Sequence, residues 1–344
     1  MRRNKVVSMF AMVGISALAL TGCSSSAGGS GDETDTQGGG SAETVFRVAF
    51  NQNAGHPQAQ ALVEFGERLT EGTDGAYGIE LFPDELLGAQ AETIELIQSG
   101  SVEMAVVAGS LLENFNPDFA VLNLPYLYES QEHQMSVLND EAIVGDLYSS
   151  VVDQNIRVIL AYHGGVRNVY TTDGPVEVPA DLDGQKIRVI GSDTNVRMME
   201  LMGGVGTPMA QGEVYTAIQS GVLDGAENNE LVYADMAHSE IAPYYSSTQH
   251  LMMPDLLIMN PAVLEAMSDE DRTIFLDLLD ESVETEVTLF DEAVIAAKEK
   301  AEAAGATFSE ADVEAFREAV APLNEERLTN DVTREIYDAI QAAR

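Results

Sequence analysis

The chain of 344 residues carries 57 acidic and 17 basic side chains, a formal net charge of −40 at pH 7. Because phosphate binding needs basic patches, this balance argues against nucleic acid as a partner, and self-repulsion favours a soluble monomer. With a single cysteine no intrachain disulfide can form, so the fold must rest on its hydrophobic core.

The N-terminus has the pattern of a secretory signal. A basic start precedes an apolar run from residue 6 to residue 20, which is too short to be a good membrane-spanning helix. The run ends in the tetrapeptide LTGC at residues 20–23, which resembles the bacterial lipobox, where the cysteine becomes the lipidated N-terminus. We therefore predict an exported protein with a signal peptide over residues 1–22, anchored to the outer face of the cell membrane through Cys23.

A polar tether separates the predicted lipid anchor from the folded part. Residues 23–44 contain, after the cysteine, no large apolar side chain and many glycine and serine residues, which is typical of a flexible chain. The folded part is predicted to begin at Val45 and to run for about 300 residues, a length that suits two lobes better than one.

From Val45, strand-like and helix-like segments alternate, which favours an α/β fold. The first run of segments includes the pair Gly164-Gly165, which is expected to join two strands. The alternation in this run predicts strands at 45–50, 77–82, 102–107, 121–127, 156–162 and 166–171, a helix that opens at Pro57 and a helix at 89–99.

A second run of the same kind follows these strands. Its last part, from Ser268 to the C-terminus, is almost wholly helical. The other predicted elements are a strand at 186–190, helices at 195–202 and 213–220, and a strand at 251–259 that crosses back.

The two runs predict two lobes with a ligand cleft between them and hinge strands near Gly164 and Leu251. Hinged lobes of this kind close on a ligand within microseconds to milliseconds. Lobe I is assigned residues 45–164 and about 254–293, and lobe II is assigned residues 165–253 and about 294–344.

Common motifs for catalysis and metal binding do not occur in the sequence. It contains no G-x-S-x-G elbow, no H-E-x-x-H pair, no P-loop and no C-x-x-C. The five histidines lie far apart in the sequence, and none pairs at a metal-ligand spacing. We therefore expect a binding protein rather than an enzyme, with no cofactor and no metal.

Two arginines are candidate ligand contacts. Arg188 alternates with Ile187 and Val189 on a short apolar strand, and Arg167 lies at the mouth of a strand after the glycine pair. The planar guanidinium suits a carboxylate because it forms two parallel hydrogen bonds and stays charged. On the residues alone, a surface strand with a salt bridge to one of the many acids remains the alternative.

Nine segments of the sequence carry a resemblance to one protein family. They are Gly55–Pro57, Phe82–Pro83, Leu87–Gly88, Gly100–Ala105, Leu124–Leu127, Gly165–Arg167, Pro179–Val189, Thr207–Met209 and Gly212–Asn229. Together they resemble the DctP-type solute-binding proteins of tripartite ATP-independent periplasmic (TRAP) transporters. The last segment, GEVYTAIQSGVLDGAENN, is the most specific.

The resemblance implies a two-lobed, periplasmic-binding-protein-like fold from about Val45 to the C-terminus. It implies that the protein captures a small organic acid and hands it to one small and one large membrane subunit. It also implies that Arg188 clamps the ligand carboxylate, with Arg167 and Asn228 in support.

Five further residues are candidates for the ligand site. His56 and Asn53 lie in the first strand-to-helix turn, where open α/β sheets bind ligands. The alternative for His56, which precedes a proline, is that it only caps the helix. Glu213 and Tyr215 open a helix. The alternative for Glu213 is that it only complements the helix dipole, and the alternative for Tyr215 is a place in the core. His250 is placed to contact ligand hydroxyls or to make a hinge hydrogen bond.

The ligand is predicted to be a sugar acid, such as a uronate or an aldonate. The segments Glu227–Glu230 and Thr248–His250 resemble those of sugar-acid-binding members, and they offer amides, carboxylates and a histidine for hydroxyl groups. They offer no second cation for a second carboxylate. A C4-dicarboxylate-binding TRAP protein and an extracellular ligand sensor or scaffold stay open as alternatives.

Overall fold

The computed structural model describes residues 42–344, so the predicted signal peptide, the Cys23 anchor and most of the tether lie outside the described residues. The described part is a mixed α/β structure, which confirms the predicted class. Its strands are β1 Thr44–Ala49, β2 Tyr77–Phe82, β3 Met104–Ala108, β4 Arg157–Thr171, β5 Lys186–Val189, β6 Val205–Pro208, β7 Gly225–Asn228, β8 Tyr244–Met259 and β9 Thr307–Glu310.

The helices pack around this sheet. Those of the first part of the chain are α1 Pro57–Gly72, α2 Gln90–Gln98, α3 Gln131–Leu138 and α4 Glu141–Ser149. The others are α5 Asp193–Leu201, α6 Val214–Gln219, α7 Glu230–Asp235, α8 Pro261–Glu265, α9 Asp269–Ala303, α10 Val313–Val320, α11 Pro322–Arg327 and α12 Asp331–Ala342. No helix within the described range is long and apolar enough to cross a membrane.

Two long antiparallel strands connect two half-sheets. The strand order is β2-β1-β3-β8-β4-β7-β5-β6, with β9 paired to β8. β1, β2 and β3 are parallel to one another on one side, and β5 is parallel to β6 and β7 on the other. β4 and β8 pair along most of their length, so the same two strands belong to both half-sheets.

The glycine pair lies inside β4 rather than between two strands, which corrects the sequence-based prediction. The register between β4 and β8 shifts from His163 to Val166. Gly165 has a φ of +79°, which favours glycine, and a Cβ on Gly164 would overlap the carbonyl oxygen of Met253. The two glycines therefore bend one continuous strand where it passes from one half-sheet to the other.

The strand predicted at 121–127 is wrong. The structure has a 3-10 helix at Pro117–Asn123 instead, and helices α3 and α4 follow it. Pro117 suits the first position of such a helix, and the side chain of Asn116 caps it by accepting from the backbone N–H of Asp118. A short buried apolar run has no periodicity that separates a strand from a helical turn.

The 35-residue helix α9 runs along both half-sheets. Ser268 caps it by accepting from the N–H of Asp271, and the acidic first turn complements the helix dipole. It packs against α1 and α7, which belong to the first and second half of the fold respectively. The length of the helix, about 52 Å at 1.5 Å per residue, allows it to contact both.

The lobe boundaries derived from the sequence stay a prediction. The last helix, α12, contacts α4 and the 3-10 helix at Pro117–Asn123, which belong to the predicted lobe I. His133 Nε2 lies 3.0 Å from the carbonyl oxygen of Ile340, and Asn330 Nδ2 donates to Asp118 Oδ1 at 2.7 Å. These contacts place the last helix against the predicted lobe I, whereas α10 and α11 contact α5 of the predicted lobe II.

Candidate ligand-binding site

Arg188 is buried in the second half-sheet with most of its hydrogen-bonding capacity unused. It lies on β5 between β6 and β7, and only 3% of its surface is exposed. Its Nε donates to the carbonyl oxygen of Met209 at 2.8 Å, and the two terminal nitrogens make no hydrogen bond within residues 42–344. Burial lowers the pKa of Arg188 to about 10, so the guanidinium is charged at neutral pH.

The guanidinium of Arg188 faces a cavity of about 260 Å³. Segments of both half-sheets form its wall, and within the described chain this wall contains one basic side chain, Arg188, and one acidic side chain, Glu85. The lining residues are Glu85, Ala89, Gln90, Ala91, Leu111, Arg188, Ile190, Gly191, Pro208, Met209, Ala210 and Gln211.

The second predicted arginine, Arg167, is paired with a buried carboxylate. Its Nε donates to Glu227 Oε2 at 2.5 Å, its Nη2 to Glu227 Oε1 at 2.8 Å and its Nη1 to Asn228 Oδ1 at 2.9 Å. Burial opposes ionisation of Glu227, but the charge and hydrogen bonds of Arg167 prevail and lower the pKa of Glu227 to about 2. Each side chain of the pair therefore balances the charge of the other.

Asn228 and His250 belong to the same buried cluster. Asn228 Oδ1 also accepts from the N–H of Asn229 at 2.9 Å. His250 Nε2 lies 3.4 Å from Glu227 Oε2, and its Nδ1 lies 2.9 Å from Thr248 Oγ1. The cluster lies on β4, β7 and β8, beside the strand that carries Arg188.

Arg188 lines the cavity, whereas neither the Arg167 cluster nor the other four predicted residues do. His56 is buried, its Nδ1 accepts from the N–H of Gln58, and burial lowers its pKa to about 4, so it acts as a neutral helix cap. Asn53 Nδ2 donates to Asp235 Oδ2 at 2.9 Å. Glu213 is exposed and Tyr215 is half-buried on α6.

Glu85 is the cavity residue that the sequence reasoning missed. Asp84 and Glu85 have φ values of 56° and 55°, a left-handed conformation that is strained for residues other than glycine. Burial raises the pKa of Glu85, while the backbone of Gly212 and the charge of Arg188 oppose this shift. The available signal was its position, because it follows a parallel strand at the edge where α/β sheets bind ligands.

The chain is similar to known solute-binding proteins over nearly all of its described length. The family profile "Bacterial extracellular solute-binding protein, family 7" (DctP) matches residues 48–330. The uncharacterized protein YiiZ of Salmonella typhimurium is 34% identical over 307 residues, which cover 88% of this chain and 92% of that protein.

Two solved structures share the fold. A TRAP periplasmic solute-binding protein from Anaerococcus prevotii with bound α/β-D-glucuronate has a TM-score of 0.85 and 41% identity, over 88% of this chain and 98% of that one. One from Xanthobacter autotrophicus with bound β-D-galacturonate has a TM-score of 0.83 and 32% identity, over 87% and 100%.

These similarities confirm the predicted family and the two-lobed fold class. Proteins of this family are exported, bind small acids and work with membrane subunits of a transporter. The chain belongs to the family 7 bacterial extracellular solute-binding proteins, the DctP-type proteins of TRAP transporters.

Proposed function

We propose that this protein captures a hexuronate, such as D-glucuronate or D-galacturonate, and delivers it to the membrane subunits of a TRAP transporter. The observation that carries the proposal is the cavity whose wall, within the described chain, contains the buried Arg188 as its one basic side chain and Glu85 as its one acidic side chain. Arg188 would hold the ligand carboxylate through its two terminal nitrogens, because a planar guanidinium forms parallel hydrogen bonds to a carboxylate.

The charge of the cavity favours one ligand carboxylate over two. The second nearby cation, Arg167, is already paired with Glu227. The second carboxylate of a C4-dicarboxylate would therefore lie near Glu85 with no cation to pair with. Repulsion between these two negative charges in a small cavity would strongly weaken binding of such a ligand.

The remaining polar groups suit a ligand rich in hydroxyls. Glu85 offers carboxylate oxygens, and the amide of Gln90 lies in the same wall. The volume of about 260 Å³ is close to the lower limit of about 300 Å³ for ligand pockets, which suits a monosaccharide acid better than a larger one. The glucuronate and galacturonate in the two solved relatives agree with this class.

We expect D-glucuronate or D-galacturonate to bind with a micromolar or lower Kd, which corresponds to about 8 kcal/mol. Succinate and malate should bind at least about a hundredfold more weakly because of the charge on Glu85. Isothermal titration calorimetry with these four acids and D-gluconate tests the prediction. Tight succinate or malate binding with no response to any sugar acid would support a C4-dicarboxylate carrier instead.

We also propose that the protein is a monomer anchored through a lipid on Cys23, as the LTGC tetrapeptide suggests. Metabolic labelling with a palmitate analogue and detergent phase partitioning of the expressed chain test this. Wild type should be labelled and enter the detergent phase, whereas Cys23→Ala should do neither. Equal partitioning of both variants would count against the anchor.

A further inference from the structure

Two glutamines from the two halves of the fold meet beside the Arg188 cavity, which Gln211 lines. Gln211 Nε2 donates to Gln52 Oε1 at 2.9 Å, and Gln52 Nε2 donates back to Gln211 Oε1 at 3.3 Å. Asn51 Nδ2 also donates to Gln211 Oε1, at 3.0 Å. Gln52 and Gln211 are 8% and 7% exposed, so these hydrogen bonds are shielded from water.

The two glutamines come from opposite ends of the sheet. Gln52 follows β1 in the first half-sheet, and Gln211 precedes α6 and follows β6, the last strand of the second half-sheet. No strand pairing joins β1 to β6. The pair therefore depends on the approach of the two halves and not on the folding of either one.

The segment around Gln211 lies close to the first half of the fold. Gln211 itself lines the cavity, two residues after Met209, whose carbonyl oxygen accepts from Arg188. A Cβ on the next residue, Gly212, would lie 2.7 Å from Glu85 Oε2, so a larger residue would displace the Glu85 carboxylate. The backbone next to Gln211 therefore lies against the Glu85 carboxylate, which follows β2 in the first half of the fold.

We propose that Gln52 and Gln211 form a latch that closes the cavity over the bound ligand and sets how long the ligand stays. The proposal rests on the proposed function, because it concerns the same cavity. Both side chains are neutral, so the latch does not compete with Arg188 for the ligand carboxylate. When the halves separate, both amides are hydrated, so the latch is reversible.

A second contact between the halves is a weaker candidate. Asn53 Nδ2 donates to Asp235 Oδ2, and Asp235 Oδ1 accepts from Lys300 at 2.7 Å. These groups are largely exposed, and exposed polar contacts contribute little. Of these two contacts, the shielded glutamine pair is therefore the one expected to affect opening more.

Stopped-flow kinetics with D-glucuronate test the latch. We expect Gln211→Ala and Gln52→Ala each to increase koff about tenfold and to leave kon within about twofold, because the latch forms after the encounter. The double variant should match the more affected single variant, because both substitutions remove the same pair. Gln219→Ala, an exposed glutamine on α6, is the control and should leave koff unchanged. An unchanged koff, or effects that multiply in the double variant, would overturn the latch.

A second measurement tests the latch even if wild type does not bind D-glucuronate. That result contradicts the proposed function, but reaction of a Gln52→Cys/Gln211→Cys variant with a short bismaleimide, whose reach of roughly 8 Å suits two positions joined through their amide ends, still shows whether the two positions meet, since a covalent crosslink traps even a brief closed state. A Gln52→Cys/Gln219→Cys variant, which has the same number of cysteines, is the control. Crosslinking of the first pair alone supports the latch, and no crosslink in that pair refutes it.

Discussion

Replacement of Arg188 by alanine is expected to abolish ligand binding, with Kd raised by at least about a thousandfold. The ligand carboxylate would then enter a cavity whose remaining charge is that of Glu85, and an unpaired buried charge costs several kcal/mol. Arg188→Lys should also bind poorly, because an ammonium group does not reproduce two parallel hydrogen bonds. Isothermal titration calorimetry with D-glucuronate measures both effects.

The control for this experiment is Arg157→Ala. Arg157 is exposed at the start of β4, so the substitution removes the same side chain and charge at the surface and should leave Kd within about twofold. Circular dichroism must show that the Arg188 variants are folded. If folded Arg188→Ala bound as tightly as wild type, the cavity would not be the ligand site.

The fold class could be predicted from the sequence because its signals are local. Val45 to Phe50 and Tyr77 to Phe82 contain apolar residues suited to strands, and β1 and β2 lie within one residue of the predicted positions. Helices α3 and α4 were missed, and the glycine pair in β4 was interpreted as a turn. A bend inside a long strand depends on its pairing with β8, which is not encoded locally.

The candidate site could be predicted only in part, for a related reason. Arg188 stands out in an apolar strand, but its free terminal nitrogens depend on tertiary packing. The partner of Arg167 is Glu227, 60 residues away, and Gln52 and Gln211 are separated by 159 residues. Glu85 follows β2 at the edge where α/β sheets bind ligands, but the left-handed backbone of its turn has no sequence pattern. The ligand contacts themselves stay predictions.

Replacement of Glu227 by glutamine is expected to destabilise the folded chain by about 3–5 kcal/mol at pH 7, because it leaves the buried charge of Arg167 without its counterion. The Arg167 and Glu227 side chains are 4% and 2% exposed, so solvent cannot replace the lost partner. Urea unfolding followed by circular dichroism measures the loss. Glu240→Gln, at an exposed position, is the control and should change stability by less than about 0.5 kcal/mol.

The loss of stability caused by Glu227→Gln should also depend on pH, and it should shrink as the pH falls. The pKa of Glu227 is about 2 in the folded chain against 4.5 for an ordinary glutamate, so its ionisation stabilises the fold fully above about pH 4.5. This contribution disappears as the pH falls towards 2, because the folded state then also takes up the proton. The stability difference between wild type and Glu227→Gln should therefore be constant from pH 7 to pH 5 and shrink between pH 4.5 and pH 2. A difference that stays the same down to pH 3 would show that the loss comes from altered packing and not from the charge pair.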